Sequence, residues 1–371
     1  MNSPWPPLLH RPPLQPAESL PFFLIRLAHE NCYHVPTMVM QLCRERLSRR
    51  DTVTRPTHPE TYEVLSALTR VEADQLYAAC AHRFAATLTP PTLPAHSFTL
   101  PSGKMVLFLP NALLDAQIWS EAKGQFCPCC LQQAAYHRID WLPVATAMCR
   151  QHQCLLQRGC PDCAANIPLQ ALIAARCPQC RFDLTRSPLT QLEGDDLGLF
   201  SQAVLRAWLG LDSLPEVKPL FVLPDHSPTV LYRLVDTLRW VMMRLDPHWD
   251  YLHRPHNAVD WPPGPCFSKQ DLTPARSYLL YTTAFKALLN WPHGFFDFLD
   301  AYRRQLGHST HAFIQQDFDY LYRACIQRLW RHSAFDFVQD AFDQYLADNY
   351  QAETLLRLQR VRCNPARFHL G

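Results

Sequence analysis

The sequence predicts a mainly α-helical protein in three parts: a helix-turn-helix-like N-terminal domain, a cysteine-rich middle and a helical C-terminal domain. Three observations predict it. Apolar residues recur at helical spacing in both outer parts, proline-rich stretches interrupt that pattern, and cysteines crowd between them. The 33 prolines against 10 glycines make the stretches 89–101, 213–224 and 247–265 stiff linkers rather than flexible tethers. The domains so delimited are 1–99, 100–186 and 187–371.

In the first part, Ser19 is placed to cap a helix running to about Glu30, with Pro21 tolerated in its first turn and Leu20, Phe23, Leu24 and Leu27 on one face. The segment NCYHVP breaks it, and Pro36 opens a second helix to about Leu47. Thr69 and Glu72 have capping-box spacing ahead of a further helix carrying Leu76 and Tyr77. Two short helices around a tight break fit a helix-turn-helix unit, and equally a small helical bundle. The run LPSGKMVLFLPNALL alternates weakly around Gly103, as a short hairpin or an irregular connector would.

In the last part, Ser227 and Pro228 start a helix with Val230, Leu231, Leu234, Val235, Leu238, Val241, Met242 and Leu245 at helical spacing. A second helix carries Phe295, Phe298, Leu299, Tyr302 and Leu306, and a third Phe335, Val338, Phe342 and Leu346. These aromatic stripes are core positions.

The middle holds four ligand pairs with a two-residue gap: Cys127/Cys130, Cys149/His152, Cys160/Cys163 and Cys177/Cys180. That gap lets a tight turn aim two ligands at one ion while backbone N–H groups face the thiolates. Three pairs begin Cys-Pro, where the proline presets φ for the turn. Four pairs make two tetrahedral sites, so the module is a double zinc ribbon or knuckle with two structural zinc ions; a redox CxxC explains neither four copies nor the histidine. Taken in sequence, the first two pairs form a Cys₃His site and the last two a Cys₄ site, each closing a short loop at low entropic cost. The cross-braced order, first pair with third and second with fourth, stays open. Either order leaves no coordination position for water, so the ions hold shape and activate nothing. Cys129 and Cys154 are spare, and Cys32, Cys43, Cys80, Cys266, Cys325 and Cys363 read as buried apolar thiols.

A net charge of +2 excludes a protein that grips nucleic acid through its whole surface. The one contiguous basic candidate for a nucleic-acid or partner contact is Arg44, Arg46, Arg49 and Arg50, which as a solvated helix end would also complement the helix dipole. No apolar run approaches the roughly 20 residues needed to cross a bilayer, and the proline-rich start lacks signal-peptide character, so no membrane contact and a cytoplasmic location are expected.

With these residues in place, the chain resembles the TniQ/TnsD family of transposon target-selection proteins. The likeness rests on ESLPFFLIRLAHEN (18–31), on FCPCCLQQAAYHRIDWLPVATAMCRQHQCLL followed by CPDC and CPQC, with Arg138 and Trp141, and more weakly on NWPHGFFDFL and FDFVQDAFDQYL. It is strong over 18–185 and diffuse beyond 190. The resemblance implies a non-catalytic adaptor in DNA transposition. Such an adaptor links target DNA, or an RNA-guided Cascade-type CRISPR effector with its guide RNA, to a TnsC-type AAA+ ATPase; a homodimer is compatible with it. Two other classes are set against this reading. A stand-alone zinc-finger or helix-turn-helix regulator would bind its DNA site tightly by itself. An enzyme would need the carboxylates Asp195/Asp196 or Asp336, Asp340 and Asp343, yet the latter three read as the wet side of an apolar helix, and no phosphate-cradling glycine loop or nucleophile motif accompanies them.

Overall fold

A computed structural model describes residues 8–33, 41, 43, 45, 47, 51–91, 93–118, 123–216, 222–243, 249–253, 272–307 and 314–350. The chain is mainly helical, as expected, and its described strands form only two short antiparallel pairs.

The N-terminal helices are α1 (Leu20–Glu30), α2 (Pro59–Thr69) and α3 (Ala73–Ala78). Helix α1 begins after Ser19, where expected, but the Ser19 hydroxyl does not cap it. It sits 2.9 Å from His137 Nδ1, across 118 residues of sequence. The capping box expected at Thr69 and Glu72 is also absent: Thr69 closes α2, its hydroxyl donating to Leu65 O, and Arg70 follows in a left-handed C-cap. The second helix expected over 36–47 lies largely outside the described residues, so the helix-turn-helix expectation does too. Of the scattered thiols, Cys43, Cys80 and Cys325 are buried, whereas Cys32 is exposed because the chain turns sharply there at φ +59°. Cys266 and Cys363 fall outside the described residues.

The Gly103 region resolves as a hairpin, β1 (His96–Thr99) against β2 (Met105–Phe108), with Gly103 at φ +86° in the turn. Phe98 and Val106 close the small core that Leu24, Leu27, Tyr62, Leu65 and Leu76 form between α1, α2 and α3. Behind the hairpin, the buried His82 accepts from Leu109 N–H at 3.1 Å and lies 3.2 Å from Arg55 O, roles that require the neutral ring with its proton on Nε2. Burial lowers the His82 pKa to about 4 and that of the fully buried His137 to about 3. A depressed histidine pKa means the unfolded chain takes the proton first. Stability is therefore complete above about pH 6.5 and falls toward pH 4, by up to about 1.4 kcal/mol per pH unit for each ring. Thermal melts should show this slope, and His82→Gln, which keeps a donor and an acceptor without titrating, should flatten it; an unchanged slope would rule out His82 as a source.

The C-terminal bundle consists of α4 (Ala85–Leu88), α5 (Asn111–Gln117), α7 (Asp196–Trp208), α8 (Pro228–Met242), α9 (Pro274–Lys286), α10 (His293–Gln305), α11 (Ile314–Arg328) and α12 (Asp336–Asn349) around one large core. Three of these, α8, α10 and α12, match the expected helices. The core also takes in Ala81, Phe84, Ile139 and Leu142, which join the stretches on either side of the hairpin to the bundle. Among the described residues, no helix is long and apolar enough to cross a membrane.

A third core lies beneath the cysteine pairs. Phe126, Leu131, Trp141, Leu156, Ile167, Leu169, Leu172 and Leu184 pack there with Phe22 of α1. Helix α1 is thus a wedge: Phe23, Leu24 and Leu27 face the N-terminal core, and Phe22 faces the cysteine module. Backbone bonds rivet it in place, Ser19 N–H to His137 O at 3.0 Å, Ile139 N–H to Ala17 O at 2.7 Å and Leu20 N–H to Ala79 O at 2.7 Å. Buried Glu18 accepts from the Arg26 guanidinium at 2.7 and 2.9 Å.

Candidate metal centres

The structure brings the eight ligands together as two separate groups, Cys127, Cys130, Cys149 and His152 in one and Cys160, Cys163, Cys177 and Cys180 in the other, the ligand atoms within each lying no more than 4.8 Å apart. This is the sequential grouping; the cross-braced one is not what the fold builds.

Local structure explains how each pair is aimed. Cys127 precedes the short helix α6 (Pro128–Gln133), with Pro128 at its first position and Cys130 one turn in. Cys149 ends β3 (Met148–Cys149), which pairs with β4 (Cys154–Leu155), and His152 lies in the connecting turn. In the last two pairs the chain folds back directly after the second cysteine: Ala164 N–H bonds Cys160 O and Arg181 N–H bonds Cys177 O, both at φ near +60°. Gln153, just after His152, also has positive φ. Three of the four turns therefore finish on a left-handed residue that is not glycine, a feature that a search for glycine overlooks.

The spacing within each group suits a tetrahedral ion. With zinc–sulfur bonds of about 2.3 Å, tetrahedral sulfurs lie ~3.8 Å apart. In the first group Cys130 Sγ and Cys149 Sγ are 3.5 Å apart, and the three sulfurs lie 3.4, 3.4 and 3.5 Å from His152 Nδ1. In the second, Cys160 and Cys180 are 3.5 Å apart and Cys163 and Cys177 3.7 Å. His152 presents Nδ1 inward, and its Nε2 lies 3.3 Å from the side-chain amide of Gln133, which orients the ring. The backbone N–H groups of Cys180 and Gln179 help draw the Cys177 thiol down to about 7, so the turn stabilises the thiolate that a metal needs. Sulfur-rich donors at tetrahedral separations fit zinc, and four protein ligands fill its usual coordination.

Cys154 is fully buried, and its Sγ is 3.7 Å from Cys127 Sγ, yet it lies outside the four-ligand group, one strand across from Cys149. Cys129 is half-buried and likewise outside it. Arg44, Arg46, Arg49 and Arg50 lie outside the described residues. Of the carboxylates weighed for an enzyme, Asp195 has structural partners. Asp195 caps α7 through Gly198 N–H and also contacts His253 Nε2 at 2.7 Å and the Tyr278 hydroxyl at 2.8 Å, while Asp336 and Asp340 are exposed on α12.

What sequence reasoning missed is how arginines gather around the first metal group; of these only Arg138 stood out, beside Trp141 in the family likeness. Arg138 lies over the rings of Tyr136 and Trp141, with its guanidinium carbon 4.6 and 5.1 Å from their centroids. Arg206, nearly buried, joins Asp140 at 2.9 Å to Asp212 at 2.7 Å, and Arg150 also pairs with Asp212. Arg150, Arg206 and their partners Asp140 and Asp212 are scattered along the chain, and no local pattern announces their pairing.

Residues 9–156 match the family model TniQ, a span holding the N-terminal helices and the whole first metal group but ending before the second. No curated protein sequence matches the chain.

Proposed function

We propose, from the premise that residues 9–156 make this chain a TniQ-family protein, that it is a non-catalytic accessory factor of DNA transposition that joins a target-selecting component to a TnsC-type AAA+ ATPase. The target-selecting component is a Cascade-type RNA-guided complex or the target DNA itself. The family match carries the transposition role. The closed ligand groups support the non-catalytic one, because two zinc ions with four protein ligands each have no place for an activated water. On this reading the zinc module is a rigid joint: its core takes in Phe22 of α1, while residues on either side of the hairpin pack into the helical bundle, which ties the three parts together. Arg44, Arg46, Arg49 and Arg50 are the contiguous basic group offered to DNA or a partner.

Co-purification tests this directly. The tagged chain should retain a TnsC-type ATPase and a Cascade-type complex encoded beside it, and by itself should bind duplex DNA weakly and without sequence preference. Tight sequence-specific binding by the isolated chain, with no retention of the ATPase, would favour the stand-alone regulator instead.

A further inference from the structure

Two adjoining concavities run across the junction between the N-terminal segment, the first metal group and the start of the bundle. One, of about 700 Å³, is walled by the proline-rich stretch 11–18 and by the ends of α2 and α3, and Arg11, Arg70 and Arg83 line it. The other, of about 460 Å³, is lined by Arg83, Arg138, Arg150 and Arg206 together with Trp141 and Asp140. Ala17 and Arg83 belong to both, so the two form one cleft.

Its charge is unbalanced. The bordering acids are already committed, Glu18 to Arg26, Asp140 to Arg206, and Asp212 to Arg206 and Arg150. Among the described residues, Arg11, Arg70, Arg83 and Arg138 have no carboxylate within ion-pair distance. Arg83 donates only to the main-chain oxygens of Ala78 and Gly210, at 3.1 and 3.4 Å. Guanidinium groups so placed, one of them lying over two aromatic rings, are preorganised for carboxylates or phosphates.

The walls decide between these. Pro12, Pro13, Leu14 and Pro16 line the first concavity and Leu211 the second, an apolar surface that suits peptide side chains and that a sugar-phosphate backbone would not use.

We infer that this cleft is a docking site for an extended acidic peptide segment of a protein partner, its carboxylates on Arg11, Arg70, Arg83 and Arg138 and its apolar side chains against the proline-rich wall. The inference goes beyond the accessory reading and stands or falls separately, because it is tested with the purified zinc-loaded chain alone.

A library of short random peptides is selected on the full chain, and enriched peptides are measured by fluorescence anisotropy with a single-stranded oligonucleotide of equal charge as comparison. The expected result is enrichment of Asp- and Glu-rich sequences. Their binding should weaken at least about tenfold in Arg83→Glu and in Arg138→Gln, and fall more steeply with salt in the wild type than in either variant. Because Arg83 and Arg138 also make internal contacts, Arg70→Glu, an exposed position at the rim, gives a version free of folding effects and should weaken binding in the same direction. Absence of acidic enrichment, affinity indifferent to all three substitutions, or an oligonucleotide that binds as tightly as the peptides would overturn the proposal.

Discussion

Replacing Cys149 with serine is expected to release one zinc ion and to lower the melting temperature more than replacing Cys160 does. The apparent binding free energy of a structural zinc in small peptides is about 10–16 kcal/mol near neutral pH, comparable with the whole stability of a typical domain, about 5–15 kcal/mol. The two sites should nevertheless differ. The first shares its core with Trp141 and Phe22, and the backbone bonds that seat the start of α1, Ser19 N–H to His137 O and Ile139 N–H to Ala17 O, run to the loop between its two ligand pairs, so its loss should loosen α1. The second shares that core too, with Cys160 and Cys177 buried and Leu169 and Leu172 of its loop packed there with Phe22, but Cys163 and Cys180 are half-buried and, among the described residues, no backbone bond ties its loop to α1, so its loss should disturb α1 less. Hydrogen exchange would show the difference as greater deprotection of α1 in Cys149→Ser than in Cys160→Ser. Cys154→Ser should keep both ions. The cysteine module has a core of its own, supplied partly from α1 through Phe22. Metal loss should therefore loosen the module rather than unfold the chain throughout.

Substituting Asp236 with alanine should cost about 3–5 kcal/mol, because it would break a buried network of charges. This carboxylate is fully buried on α8. It accepts from Arg239 at 2.5 Å, from Gln117 Nε2 at 2.6 Å and from the Tyr281 hydroxyl at 3.0 Å, and Arg328 and Arg233 lie 3.4 and 3.7 Å away. Four helices, α5, α8, α9 and α11, therefore meet on one anion. Removing it leaves three cations in a poorly solvated place; Arg233 is already pulled down to about 10 by burial. Burial works to raise the Asp236 pKa, but the charges of Arg239, Arg328 and Arg233 hold it well below the usual carboxylate range. A depressed carboxylate pKa stabilises the fold above about pH 4 and loses that contribution as pH falls toward the folded value, so the cost of Asp236→Ala should be full at neutral pH and shrink in acid. Denaturant titration at pH 7 and pH 3 measures both; equal costs at the two values would mean that packing rather than charge sets the loss.

The ligands were legible because metal geometry imposes a fixed sequence spacing, and α8, α10 and α12 because each buries one stripe and wets the other. Helix α9 gave no such signal: Ser277, Tyr278, Leu279, Leu280, Tyr281, Thr282, Thr283, Ala284 and Phe285 are all buried, so no period survives, and its tyrosines and threonines favour strands. Ser19 was located correctly and its role misread, because its partner His137 lies far away in sequence and capping is the local use of such a residue. The arginine cleft was illegible for the same reason. Arg11, Arg70, Arg83 and Arg138 come together only when α1 seats the first metal group against the N-terminal core.

Zinc-edge X-ray absorption on the purified chain, with the metal counted in the same sample, tests most directly whether these are closed structural centres. The expected spectrum is that of two zinc ions per chain sharing seven sulfur and one nitrogen ligands, with zinc–sulfur distances of about 2.3 Å, unchanged in Cys154→Ser. A water oxygen in the first shell, or a sulfur lost from it on substituting Cys154, would contradict a closed, shape-holding metal module.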